Sequence, residues 1–324
     1  MHFTLYRSQR HNCSHLTIAA MLKRLGFSVE SIFNQSGLVV KGNSHKDFYI
    51  TPYYKDIFEV IEENMGVKHK KLIFKDFDSV SLKIKEMLNN GQTISLKSDI
   101  FELPYCHHYQ KQHDLHRFEI VGYDYTENLY EFCDHYFYHH GFISEETLTS
   151  AIESTRKTYN FNDTTIDYFE IDDSNKIKPQ NDLFKVVAAN YKHMIGDLDF
   201  KNTEDIVVVG LSGIETIKII INDVFGLEHI KAQPYIDKLY RQFKEIGNSR
   251  YHFHLYLMLH NQKSTASKLL DAAQSWTVAA NLIMHAYFKG EFDNYKQRVI
   301  NRIDHICSQE QQNITAMQEF VVTV

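Results

Sequence analysis

The residue best placed to do chemistry in this sequence is Cys13, which opens the apolar stretch CSHLTIAAMLKRLG directly behind Asn12. The first turn of a helix leaves backbone N–H groups unpaired, and with the helix dipole they favour thiolate over thiol. The thiolate is the nucleophilic form, although a small apolar residue packing at a helix start would look the same. A cysteine nucleophile needs a base, and the base needs an orienting group. The segment HRFEIVGYDYTENLYEFCD offers both, as two alternating runs around the turn residues Asp124–Asn128. In a hairpin centred on Tyr125, His116 and Asp134 are equally distant from the turn and face each other. Directly opposed residues have Cβ atoms about 4.5–5.5 Å apart, within reach of an imidazole–carboxylate hydrogen bond. A one-residue slip would turn the two to opposite faces.

Around this trio lie weaker candidates. Gln9 and Asn12 precede the cysteine, and either can donate an N–H to an oxyanion beside the backbone N–H of Cys13; an ordinary loop residue and an N-cap are the plainer roles. Asp99 and Tyr105, in SDIFELPY, are placed to line the cleft. Seven histidines (His107, His108, His113, His116, His135, His139, His140) crowd one stretch with Cys106 and Cys133. They lack the combined C-x2-C and H-x3–5-H spacing usual for zinc, so no metal is expected.

The elements that must position these residues follow from periodicity. A helix is predicted over Cys13–Leu25, capped by Asn12, stopped by Gly26 and apolar around most of its circumference. Further helices are predicted over Tyr54–Met65 and Val80–Leu88. Strands are predicted over Thr93–Lys97, Arg117–Tyr123, Leu129–Cys133 and Thr165–Ile171. Helices followed by mostly sequential strands indicate α+β rather than a doubly wound sheet. The polar run Asp172–Asp182, broken by Pro179, reads as a linker. Beyond it the pattern is helical: Ala266, Leu269, Ala273, Trp276, Ala280, Ile283 and Tyr287 form one stripe. Ile214, Ile217, Ile221 and Val224 form a second, and Phe292, Val299, Ile303 and Ile306 a third. Trp276 in such a stripe is a core residue, and the run around Gly210 and Gly213 lacks the Lys-Ser/Thr ending of a phosphate loop.

Composition narrows the function classes. With 41 acidic against 35 basic side chains and a net charge of −6, the chain is no concentrated cation for nucleic acid. No apolar run reaches membrane-spanning length, no signal peptide is visible, and four cysteines in 324 residues read as thiols of a cytoplasmic protein.

The stretch RHNCSHLTIAAMLKRLGF resembles the nucleophile helix of papain-fold proteins, in the branch with a butirosin-H-type N-terminal domain. SDIFELPYCHHYQKQHDLHRFEIVGYD is similar to that branch in layout. It has a strand, an Asp-x-x-x-Leu-Pro-Tyr turn, a Tyr and His cluster, then His-x-Phe-x-x-Val-Gly-Tyr-Asp, with Asp134 after the next strand. The layout is compatible over nearly the whole chain, and also with papain-fold amide synthases of the closthioamide type. The resemblance implies an α+β, papain-like catalytic domain over residues 1–171. It is followed by a linker over 172–182 and a helical region over 183–324 that covers the cleft or docks a carrier protein. It also implies an acyltransferase of thiotemplated antibiotic biosynthesis, taking an acyl group from a carrier-protein thioester and passing it to an amine. In that reading Cys13 is the nucleophile, His116 the base and Asp134 the orienting acid. The partners are an acyl or peptidyl carrier protein and an amine-bearing small molecule or second carrier-bound substrate. No cofactor is bound by the protein itself, since phosphopantetheine arrives on the carrier. Lys68–Lys71, or Arg241 with Lys244, would receive an acidic carrier. One departure stands out: papain-like peptidases place their oxyanion glutamine about six residues before the cysteine, where this chain has Arg7, and Gln9 is four before. A cysteine peptidase or amidase, and a non-catalytic binding protein on the same fold, are the alternatives.

Overall fold

The computed structural model describes residues 3–171, 182–197 and 207–323. In chain order the helices and strands are α1 (Cys13–Arg24), β1 (Val39–Lys41), β2 (Tyr49–Thr51), α2 (Ile57–Met65), β3 (Val67–Phe74), α3 (Phe77–Asn89), β4 (Ile94–Asp99), β5 (Leu115–Asp124), β6 (Leu129–Asp134), β7 (His139–Ser144), α4 (Glu145–Tyr159), β8 (Thr164–Ile171), α5 (Leu183–Met194), β9 (Val207–Val209), α6 (Gly213–Phe225), α7 (His229–Leu259), α8 (Lys263–Lys289) and α9 (Phe292–Thr323). This is an α+β protein with antiparallel sheets and a helical C-terminal region.

Among the described residues there are two compact units, 3–29 with 61–171, and 30–60 with 182–197 and 207–323. The division differs from a continuous one at residue 171, because residues 30–60 pack with the C-terminal helices. Polar side chains explain why: Ser249 donates to the carbonyl of Gln35 at 2.8 Å, Arg250 to that of Gly37 at 2.6 Å, and Asn190 to that of Asn34 at 2.9 Å. Buried backbone groups need such partners, and a sequence pattern does not reveal who supplies them. The expected linker lies outside the described residues except for Asp182, whose carboxylate caps α5.

The first unit is built on a six-stranded sheet, ordered β3-β8-β4-β5-β6-β7 and antiparallel throughout. Its core joins Val80 and Ile84 of α3 and Leu148 and Ile152 of α4 to Leu96 and Phe118 of the sheet. Both edges depart from expectation, since β3 and β7 were not anticipated as strands. In β3 (VKHKKLIF) Val67 is buried and Leu72 and Phe74 pack on the core, while Ile73 is exposed, and β7 carries two histidines and a glycine. Such polar edges suit strands that must not recruit another chain, but they blur the alternation that marks a strand.

The second unit has a small sheet, ordered β2-β1-β9, and helices α5–α9. The expected stripe on α8 is buried from Ala266 to Ile283, with Tyr287 packed at its margin. Trp276 is fully buried and donates its indole N–H to Glu310 at 2.8 Å; Arg250 pairs with the same oxygen at 2.9 Å. Gly210 has φ +72°, and a Cβ there would strike the carbonyls of Met194 and His193, so the glycine answers to backbone crowding. No helix among the described residues is long and apolar enough to cross a membrane.

Candidate active site

Helix α1 starts at Cys13 because the Asn12 carboxamide oxygen accepts the His15 N–H at 2.8 Å. Leu16 to Leu22 are all buried, which fixes the helix against its surroundings. A polar residue inside that apolar run makes the connection to the sheet. The buried Thr17 hydroxyl lies 2.9 Å from the Cys13 carbonyl and 3.2 Å from the Arg117 carbonyl of β5. This ties the cysteine turn to the strand that carries His116.

His116 and Asp134 come together, though not as a directly opposed pair. Near the turn Tyr123 pairs with Tyr130 and Gly122 with Glu131. Beyond it Ile120 pairs with Phe132 and Glu119 with Cys133. Val121 is therefore an extra residue, a β-bulge that changes which residues share a face. In the register past the bulge His116 and Asp134 lie on one face as diagonal neighbours. The His116 Nε2 to Asp134 Oδ2 distance is 2.7 Å. Asp134 also accepts from the Tyr105 hydroxyl at 2.9 Å and from the backbone N–H groups of Tyr136 and Phe137, both at 3.0 Å. The Phe137 ring packs 5.0 Å from the imidazole.

With Nε2 committed to Asp134, Nδ1 is the ring nitrogen left for Cys13, which hydrogen-bonds His116. Burial alone would push the Cys13 thiol up. The hydrogen bond and charge of His116, with the Arg117 backbone N–H, outweigh it and hold the thiol below its ordinary value. Burial opposes the imidazolium as well, yet Asp134 and then Cys13 raise His116 to about 9. Asp134 is lowered despite burial, through His116, the Phe137 N–H and Tyr105. The other three cysteines go the opposite way, each raised mainly by burial, Cys133 to about 12. Cys13 is also only half-buried, while His116 and Asp134 are inaccessible. The cluster thus favours ionisation of the thiol and protonation of the imidazole beside it, with a buried carboxylate behind them, and it is reachable from the cysteine side.

The other candidates divide. Tyr105 joins the cluster through Asp134. Asn12 is the N-cap, its oxygen spent on His15. Gln9 is exposed, and among the described residues its side chain makes no hydrogen bond. Asp99 does not join: its carboxylate accepts from Ser154 at 2.8 Å and from the Phe101 N–H at 3.1 Å, and meets His113 Nδ1 at 2.6 Å. It organises the excursion between β4 and β5. The histidines disperse into separate contacts, His140 with Glu131 at 2.7 Å and His139 stacked on Tyr105. Among the described residues no group of three His, Cys, Asp or Glu is arranged to hold a metal ion.

Sequence reasoning missed Thr17 and the Arg117 N–H. It also missed a buried network in which Glu119 meets Arg24 of α1 and His135, whose Nδ1 accepts the Tyr6 N–H at 3.0 Å. A threonine four residues after the cysteine in an otherwise apolar helix was the available signal. Backbone donors leave none.

A family model described as Butirosin biosynthesis protein H, N-terminal, matches residues 38–135, about a third of the chain, and Cys13 lies outside the match. No curated protein matches the chain. Over residues 38–135, which carry His116 and Asp134 and the Gly-Tyr-Asp end of β5, the chain is similar to the butirosin biosynthesis protein H N-terminal family, in keeping with its motifs.

Proposed function

We propose that this chain is a cysteine-dependent acyltransferase of natural-product biosynthesis, moving an acyl group from a carrier-protein thioester through Cys13 to an amine. The observation that carries the reading is the arrangement of the cluster: the half-buried Cys13 opens α1 and hydrogen-bonds His116, whose other nitrogen lies 2.7 Å from buried Asp134, and Cys13 alone among the cysteines is lowered. The similarity of residues 38–135 to a butirosin biosynthesis family supports the setting. A cysteine helix packed on an antiparallel sheet, with His and Asp from adjacent strands, supports a papain-like description of the first unit.

The chemistry balances without ATP or a bound cofactor. The Cys13 thiolate attacks the thioester carbonyl, the carbonyl–sulfur bond to the carrier breaks, and His116 gives its proton to the departing thiol. The amine then attacks the acyl-cysteine, a C–N bond forms as the C–S bond breaks, and His116 takes the amine proton. Asp134 keeps the ring oriented in both steps. The carrier protein and the amine-bearing substrate are the partners this reading requires, and phosphopantetheine enters as part of the carrier.

Intact mass of the protein mixed with acyl-loaded carrier tests it. Without amine, the acyl mass should appear on Cys13, and adding the amine should discharge it to an amide faster than water does. Peptide cleavage through Cys13 with no acyl-protein would make the chain a peptidase. Acyl transfer surviving Cys13→Ala would remove the cluster from the reaction altogether.

A further inference from the structure

One face of the first unit's sheet carries charge away from the Cys13 cluster. In the ladders Lys71 of β3 lies opposite Asp167 of β8, Ile73 opposite Thr165, and Ser95 of β4 opposite Asp167. Continuing the last register brings Lys97 beside Thr165. The end of α4, with Arg156, and the following residues to Thr164 complete an open cavity of about 400 Å³ over this face. That volume is in the range of small-molecule sites, about 300–1,000 Å³.

The cavity lining carries more cations than carboxylates. Asp167 is already engaged, with Arg117 at 2.7 Å and His69 at 2.8 Å. Among the described residues no carboxylate pairs with Lys71 or Lys97. Arg156 is held by two carbonyls, those of Lys75 at 2.8 Å and Asn162 at 2.9 Å, and the acid its charge acts on, Asp76, lies outside the lining. Lys71, Lys97 and Arg156 thus stand against Asp163 as the single carboxylate of the lining, an excess of two positive charges. Half-buried Lys97 is pushed down by burial and by the Arg117 charge, which the nearby Asp167 offsets only in part. Apolar surface adjoins these charges: Ile73 is 60 % exposed, and the Phe161 ring lies 5.5 Å from the Lys97 ammonium.

We propose that this cavity binds a phosphate monoester, its phosphate between Lys71 and Lys97 and its organic part on Ile73 and Phe161. A monoester carries about −1.5 to −2 charges at neutral pH, which matches the excess, whereas a carboxylate leaves it half balanced. The site does not rest on the acyltransferase reading, since it shares no residue with the Cys13 cluster.

Calorimetric titration of the full chain with phenyl phosphate, inorganic phosphate and benzoate tests the assignment. Phenyl phosphate should bind with one site per chain, more tightly than either other probe. Lys71→Met and Lys97→Met should each weaken it about tenfold, the size of one lost charge-assisted contact. Phe161→Ala should weaken phenyl phosphate and leave inorganic phosphate unchanged. No saturable binding of phenyl phosphate, or equal binding in both lysine variants, would overturn the site. Inorganic phosphate binding as tightly as phenyl phosphate would remove the ester, and benzoate doing so would remove the dianion.

Discussion

Replacing Asp134 with Asn keeps the side chain's shape and removes the charge behind His116. In the native protein His116 sits at about 9 against an ordinary 6.5, a preference for the imidazolium of roughly 3 kcal/mol, net of burial that works against it. Asp134 is the largest influence raising it. Losing that carboxylate should lower the preference about tenfold, the order expected for one adjacent opposite charge. The loss of imidazolium outweighs the relief from the Asp134 charge, which itself raises Cys13. The assay is the rate of Cys13 alkylation by iodoacetamide across pH, followed by intact mass. In the native protein the rate should rise at acidic pH, hold steady through neutrality and change again near 9, where His116 loses its proton. Because the folded-state value of His116 is raised, its contribution to stability is fully present below 6.5 and is lost as pH rises through about 9. In Asp134→Asn the neutral plateau should fall about tenfold and the midpoint should move to higher pH. An unchanged profile would refute the claim that Asp134 governs the state of Cys13 through His116.

Tyr105→Phe removes the 2.9 Å hydrogen bond to Asp134 and leaves the other three in place. Acyl transfer in single turnover should slow by about tenfold, the worth of one hydrogen bond to a charged group, with the pH profile of alkylation retained. Asn12→Ala deletes the cap of α1 and should cost about 1 kcal/mol in denaturant unfolding. If Asn12 instead donated to an oxyanion, acylation in that variant would drop by about a hundredfold or more, which stopped-flow kinetics would expose. Glu310→Ala strands the fully buried Arg250 guanidinium and the Trp276 N–H, so unfolding should be easier by about 3–5 kcal/mol, read from denaturant melts.

Much of this protein follows from local pattern. Asn12 before Cys13 specifies where α1 begins, and the three apolar stripes of the helical half specify what is buried, because helix periodicity and capping act within a few residues of chain. The three members of the Cys13 cluster were legible for the same reason, as a helix-start cysteine and a hairpin with a histidine and an aspartate. Their geometry was not. The hairpin turns between Thr126 and Glu127 rather than at Tyr125, and in that register alone His116 would share a face with His135 instead of Asp134. The bulge at Val121 restores the pairing, and the alternating pattern of HRFEIVGYD does not announce it. Partners far along the chain decide the rest. Thr17 bridges to Arg117, Glu119 gathers Arg24 and His135, and residues 30–60 join helices more than 130 residues away through Asn190, Ser249 and Arg250. Buried backbone and polar groups must find hydrogen-bond partners wherever the folded chain supplies them, and only the tertiary structure names those partners.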